Sequence, residues 1–187
     1  GLPDDARDYA SAAAVLDREK ARQIEALKED DLKPGSQAAR VFYRLVFREH
    51  PYALRAVGEV DTVGAMTRDD LQAFYQQHYV AERAVVAIMG DVSRAEAEAI
   101  AEQLTRGLPR AQGAAPALPP VLPLERAITR VVAHPAAQSH ILIGAPGIRR
   151  KDPDYFPLFV GNHILGGGGF VSRINEEVRQ KRGLAYS

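Results

Sequence analysis

The sequence contains no cysteine and no tryptophan among its 187 residues. The missing cysteines exclude a disulfide framework, a thiolate nucleophile and any zinc or iron–sulfur site with cysteine ligands. A metal ion could therefore be held only by histidine, aspartate or glutamate side chains.

An excess of charge of either sign is also missing, because 24 Lys and Arg balance 24 Asp and Glu. This balance gives no electrostatic footprint for nucleic acid or for an anionic membrane. The longest apolar runs, such as residues 84–89, are far shorter than a membrane span, and the N-terminus lacks a signal-peptide pattern. With 46% hydrophobic residues, the composition predicts a soluble globular protein without a nucleic-acid or membrane partner.

Helical patterns dominate the N-terminal half. Apolar positions at helical spacing predict a long amphipathic helix over about 5–31 and a second helix over about 38–46. Two further helices are predicted by capping-box spacing, which pairs Thr67 with Asp70 and Ser93 with Glu96. Two more helices are predicted after the linker, over about 153–165 and 172–181.

Strand patterns and a proline-rich segment set the predicted domain organisation. Residues 84–89, 127–133 and 139–145 favour buried strands, and 184–187 is typical of the opening of another. The prolines within 109–124 predict an extended linker between a first domain, residues 1–108, and a second, residues 125–187. The second domain is too short for a comfortable core, so we expect a fragment whose open sheet edge leads to self-association.

Four segments carry motifs whose order and separation occur together in one protein family. They are His50-Pro51-Tyr52 with Gly58 following, AVVAIMGDV at 84–92, DPDY at 152–155, and NHILGGGGFVSRINEEVRQKRGLAY at 162–186. Together they resemble the pitrilysin/insulinase family of zinc metallopeptidases, which includes the mitochondrial processing peptidase. The resemblance implies an α+β fold of the LuxS/MPP-like metallohydrolase type, here the second part of one such domain, the linker and the first part of another.

Peptide-cleaving members of this family use an H-x-x-E-H zinc motif and a further glutamate ligand downstream. The motif does not occur in this chain. Counting seven residues from Glu19 places Ala26 at the position of the downstream ligand, whereas a register one residue shorter offers Glu25. We favour the Ala26 register. It implies a member without metal ligands in this chain, with zinc held elsewhere in the family or by a partner subunit.

Arg179 and Tyr186, seven residues apart, match an Arg/Tyr pair that the family supplies from a different domain than the zinc site. The resemblance implies that these two residues are catalytic, because guanidinium and phenol donors hold substrate and stabilise the tetrahedral intermediate. A glycine run beside them resembles the glycine-rich segment of the non-catalytic processing-peptidase subunit, which implies substrate binding by Gly166, Gly167, Gly168 and Gly169.

Three functions follow from the resemblance. The first is a non-catalytic subunit that binds a peptide substrate and presents Arg179 and Tyr186 to a zinc-bearing subunit of the same family. The second is an active zinc endopeptidase with H-x-x-E-H upstream of Gly1 and Glu25 as ligand, and the third is a structural or assembly homologue. In each case we expect the chain alone to be inactive. Exported bacterial relatives of the two-subunit type imply a periplasmic location.

Overall fold

The structure, a computed structural model, describes residues 6–186 and the side chains of residues 13–186. The chain divides into two compact units, the first ending at Gly144 and the second beginning at Ala145. The helices of the first unit are α1 (Ala6–Asp31), α2 (Pro34–Phe47), α3 (Val60–Ala65), α4 (Arg68–His78) and α5 (Arg94–Thr105), and the second unit contains α6 (Tyr155–Asn162). The predicted domain boundary within 109–124 stays a prediction.

The predicted long helix is present as α1, which packs against α2 and α3. The second predicted helix is also present but begins earlier, at Pro34. Proline fits the first turn of a helix because its missing N–H would have no partner there. Leu27 on α1 and Val46 on α2 are 2% and 6% exposed, so they belong to the small core of the first unit.

An ion-pair network around Arg55 joins the C-terminal end of α1 to the segment between α2 and α3. The Arg55 side chain is only 13% exposed and lies 3.1 Å from Asp30, 2.8 Å from Asp31 and 3.3 Å from Glu59. Asp31 also pairs with Arg40 on α2. Arg55 therefore forms ion pairs with three acidic side chains that come from two separate parts of the chain.

Both predicted capping boxes are confirmed. At α4, the Thr67 N–H donates to the Asp70 carboxylate at 2.8 Å, and the Asp70 N–H donates to Thr67 Oγ1 at 3.2 Å. At α5, the Ser93 N–H donates to Glu96 Oε2 at 2.8 Å, and the Glu96 N–H donates to Ser93 Oγ at 3.3 Å. Each box satisfies backbone donors that a helix N-terminus leaves free.

The α5 capping box makes the start of that helix sensitive to acid. Hydrogen bonds from the Ser93 hydroxyl and then its backbone N–H lower the pKa of Glu96 below its ordinary value of 4.5. A lowered folded-state pKa means that the cap stabilises the helix above about pH 4.5 and that this contribution is lost as pH falls through the lower folded value. We expect the Ser93 amide resonance to shift over that lower range.

The control for this titration is Glu96→Gln, which keeps the hydrogen-bonding shape of the cap without a titrating group. We expect the substitution to abolish the shift at Ser93 while the corresponding titration at Thr67, governed by Asp70, persists. An unchanged Ser93 titration curve in Glu96→Gln would contradict the assignment.

The strand predictions are wrong for this structure, because residues 6–186 contain helices and turns but no strand. Residues 84–89, 127–133 and 139–145 carry side chains suited to strands, yet Val85, Met89 and Ile143 are 94%, 96% and 93% exposed. A strand exists only when another strand completes its hydrogen-bond ladder, which single-segment patterns do not specify. The α+β class is therefore not supported, and the sheet-edge argument for self-association loses its basis.

The predicted linker forms hydrogen bonds with the rest of the first unit. Its hydrogen bonds join Pro109 O to Ala81 N, Ala111 N to Glu82, Gly113 O to Arg83 and Pro119 O to His50, at 2.9–3.1 Å.

The described helices include none that is long and apolar enough to cross a membrane.

Candidate functional site

The glycine run lies in two consecutive tight turns after α6. Residues His163–Gly167 form a π-helical turn, and Gly169–Val171 form a 3₁₀ turn. A side chain at Gly168 would place its Cβ 2.7 Å from the His163 carbonyl oxygen, and Gly169 has a φ of +61°. Both positions therefore require glycine, the first for space and the second for backbone conformation.

Ser172 fixes the end of the glycine run. It is 2% exposed, and its hydroxyl donates to the Gly169 carbonyl at 2.9 Å while accepting from the Asn175 N–H at 3.4 Å. The next helical turns, Asn175–Gln180, are π-helical. The serine thus holds the glycine turn against the helix that carries Arg179.

Arg179 and Tyr186 lie side by side. The chain reverses at Gly183, whose φ is +60°, and the Gly183 N–H donates to the Arg179 carbonyl at 2.9 Å. The reversal places the Tyr186 ring centroid 5.2 Å from Arg179 Cζ. Tyr186 is 84% exposed, so its phenol faces solvent. The structure therefore brings together the two residues that the sequence pairs; their catalytic role stays a prediction.

The acidic side chains near Arg179 pair with a different cation, which leaves the Arg179 guanidinium available for a ligand. The nearby carboxylates Glu176 and Glu177 both pair with Lys181, at 3.2 and 2.7 Å. The hydrogen bond to Glu177 and then that to Glu176 raise the pKa of Lys181. No carboxylate within the described part of the chain lies at ion-pair distance from Arg179. Its N–H donors are thus free for a carbonyl or carboxylate from outside the chain.

The two candidate zinc-ligand positions on α1 face solvent. Ala26 is exposed, and exposed Glu25 pairs with Lys28 at 2.7 Å. Among the side chains of residues 13–186, no group of three or more His, Asp or Glu is placed to hold a metal ion. The donors present here do not fit a zinc site on their own, and the choice between the Ala26 and Glu25 registers stays a prediction.

One residue of the site was not singled out from the sequence. Phe170 directly follows the glycine run, and its ring centroid lies 4.8 Å from Arg179 Cζ. The only sequence signal was an aromatic residue beside the glycines. His50 fixes the Pro-Tyr turn, because its Nδ1 accepts from the Tyr52 N–H at 3.1 Å.

Comparison with known proteins gives a consistent family. The family described as Peptidase M16 inactive domain matches residues 65–187. The chain is similar to an uncharacterized zinc protease of Streptomyces coelicolor, 35% identical over 87% of this chain and 36% of that protein. It is also similar to the mitochondrial-processing peptidase subunit beta of Blastocladiella emersonii, 27% identical over 81% of this chain and 32% of that subunit.

A solved structure extends the match to the fold. The crystal structure of the peptidase M16 inactive domain from Pseudomonas fluorescens is 33% identical, with a TM-score of 0.77, over 94% of this chain and 42% of that one. The chain thus spans well under half the length of these relatives. Because the family model covers most of the sequence, the chain belongs to the pitrilysin/insulinase (M16) family of zinc metallopeptidases.

Proposed function

We propose that the protein is the non-catalytic member of a two-subunit zinc peptidase, in which it binds the peptide substrate and supplies Arg179 and Tyr186 to a zinc-bearing subunit of the same family. The observation that carries this proposal is the placement of an unpaired guanidinium 5.2 Å from an exposed phenol ring. An arginine on a protein surface ordinarily pairs with a nearby acid or lies in solvent, but here Lys181 pairs with both neighbouring acids.

The chemistry of the pair suits peptide cleavage. A guanidinium and a phenol are both hydrogen-bond donors, and donors directed at the carbonyl oxygen stabilise the negative charge that develops on it. The same donors can hold the carbonyl of the bound substrate before reaction.

The neighbouring turns offer a surface for an extended peptide. Glycine lets a peptide backbone approach closely because no side chain intervenes, and Gly169 is open on the side where a Cβ would lie. Phe170 and Tyr186, 70% and 84% exposed, provide apolar contacts beside the charge. Backbone, apolar and charged groups are thus grouped on one short stretch of the second unit.

Binding of an unfolded polypeptide tests the proposal. The probe is fluorescein-labelled α-lactalbumin that has been reduced and carboxymethylated, so that it stays unfolded, and the readout is fluorescence anisotropy. We expect saturable binding by the chain that weakens about tenfold in Arg179→Gln, since a hydrogen bond to a charged group contributes about 1.5 kcal/mol or more.

The matched control is Arg173→Gln, which removes the same charge from an exposed residue of the same unit. A general loss of positive charge would weaken binding equally in both variants. Equal losses, or no saturable binding by the unaltered chain, would contradict the proposed function.

A second function is favoured by one observation, namely that the Streptomyces relative at 35% identity is named a zinc protease. In that case Glu25 would be a zinc ligand of a complete catalytic subunit. Metal analysis of the full-length protein separates the two: stoichiometric zinc that is lost on Glu25→Gln favours the catalytic subunit, and a metal-free protein favours the non-catalytic one.

A further inference from the structure

Arg179 lies against two aromatic rings. Its Cζ is 4.8 Å from the Phe170 ring centroid and 5.2 Å from that of Tyr186. We propose that Phe170 is a positioning residue that holds the Arg179 guanidinium, so that an aromatic side chain on the glycine turn orients the charge at the peptide-binding site. A role of this orientation in substrate binding rests on the function proposed above. The contact between the Phe170 ring and the guanidinium does not depend on that function.

The physical basis is that a guanidinium offers two distinct surfaces. Its flat face interacts with aromatic rings through cation–π attraction, whereas its N–H donors point outward in the plane of the group. Cation–π contact with the two rings therefore restrains the Arg179 guanidinium without pairing its hydrogen-bond donors with a carboxylate. A salt bridge with Glu176 or Glu177 would instead use those donors, but Lys181 pairs with both.

Phe170 itself is held by the backbone around it. It is the central residue of the Gly169–Val171 turn, and the Ser172 hydroxyl closes that turn on the Gly169 carbonyl at 2.9 Å. Phe170 is 70% exposed, so it contributes little to a core. In the part of the chain that the structure describes, it contacts no other aromatic ring. The turn therefore fixes the backbone from which the Phe170 ring reaches Arg179.

This arrangement connects two features that the sequence presents separately. The glycine run sets the path of the backbone. That path determines where the Phe170 ring lies against the Arg179 guanidinium, nine residues later in the sequence. A change of conformation in the glycine turn would move the ring and release Arg179. The turn and the Arg/Tyr pair are thus one functional unit.

The test is NMR spectroscopy of the chain labelled with ¹⁵N-arginine, which reports each side-chain Nε–Hε group. Aromatic ring currents shift the resonance of a proton above a ring, so we expect Arg179 Hε upfield of Arg173 Hε. Phe170→Leu should move the Arg179 resonance toward that of Arg173, and Phe170→Tyr should restore it. Phe156→Leu is the control, because Phe156 is 69% exposed in the same unit.

The second readout is binding of the labelled, unfolded α-lactalbumin. We expect Phe170→Leu to weaken binding about three- to fivefold, as the loss of one exposed cation–π contact predicts, and Phe170→Tyr to bind as the unaltered chain does. Phe156→Leu should bind normally. If Phe170 had only a structural role, the recovery of binding in Phe170→Tyr would not follow the recovery of the Arg179 resonance.

The outcomes separate this inference from the proposed function. An Arg179 resonance that does not respond to Phe170→Leu overturns the inference whatever the binding result. A resonance that moves while binding is unchanged overturns the positioning role. If the unaltered chain does not bind the probe but the resonance responds as expected, the proposed function fails and the holding of Arg179 by Phe170 stands.

Discussion

In the two-subunit peptidase proposed above, replacing Arg179 by alanine is expected to lower kcat/KM by about 10²–10³-fold, the usual effect of removing one donor to a developing oxyanion. The guanidinium has no acid partner within the described residues, so its donors are free to meet the substrate carbonyl. We expect most of the loss in kcat, because the charge on the oxygen is largest in the transition state. The measurement is steady-state cleavage by the full-length protein together with the proposed zinc-bearing subunit.

Tyr186→Phe provides the companion measurement. It removes the phenol donor and keeps the ring that lies 5.2 Å from Arg179 Cζ, so it separates hydrogen bonding from the cation–π contact. We expect a smaller loss than in Arg179→Ala, since a neutral donor is weaker than a charged one. Arg173→Ala is the control for charge. Unchanged kcat/KM in both Arg179→Ala and Tyr186→Phe would exclude the pair from the reaction.

Replacing Arg55 by methionine is expected to lower the free energy of unfolding of the first unit by about 1–2 kcal/mol, because Arg55 is nearly buried while its three acidic partners are 33–38% exposed, which places the effect between those of exposed and buried ion pairs. The substitution keeps much of the side-chain volume but leaves three carboxylates, Asp30, Asp31 and Glu59, close together without the arginine between them. Urea unfolding followed by far-ultraviolet circular dichroism measures the change.

Arg94→Met is the matched control. Arg94 also forms an ion pair, with Glu98 at 2.8 Å, but its side chain is 92% exposed, whereas that of Arg55 is 13% exposed. Exposed pairs contribute about 0–1 kcal/mol, so the control should unfold almost as the unaltered chain does. Similar small changes in both variants would show that the Arg55 network does not stabilise the unit.

The sequence predicted local structure well and pairing between segments poorly. The Thr67/Asp70 and Ser93/Glu96 boxes could be predicted because each depends on two residues three positions apart. The apolar run at 84–89 suggested a strand, but a strand depends on a second segment that the run does not identify.

In the candidate site too, some residues could be predicted from the sequence and others could not. Arg179 and Tyr186 could be chosen by resemblance, and Gly183 provides the reversal that brings them together. Phe170 was missed because its approach to Arg179 depends on how the turn at Gly169 directs the ring, and no spacing rule describes that. The Arg55 network was missed because two of its acidic members, Asp30 and Asp31, lie on α1, more than twenty residues earlier in the chain.

The hydrogen bond between His50 and the Pro119 carbonyl changes the reach of the predicted linker. Its length is 2.9 Å, and because His50 Nδ1 accepts from Tyr52, the donor to Pro119 is Nε2–H. A free proline-rich tether of residues 109–124 would span about 50 Å at about 3.1 Å per residue. With the chain held at Pro119, residues 109–119 are not a free tether but part of the first unit, which continues to Gly144. The conformational entropy of this segment is therefore lost when the first unit folds.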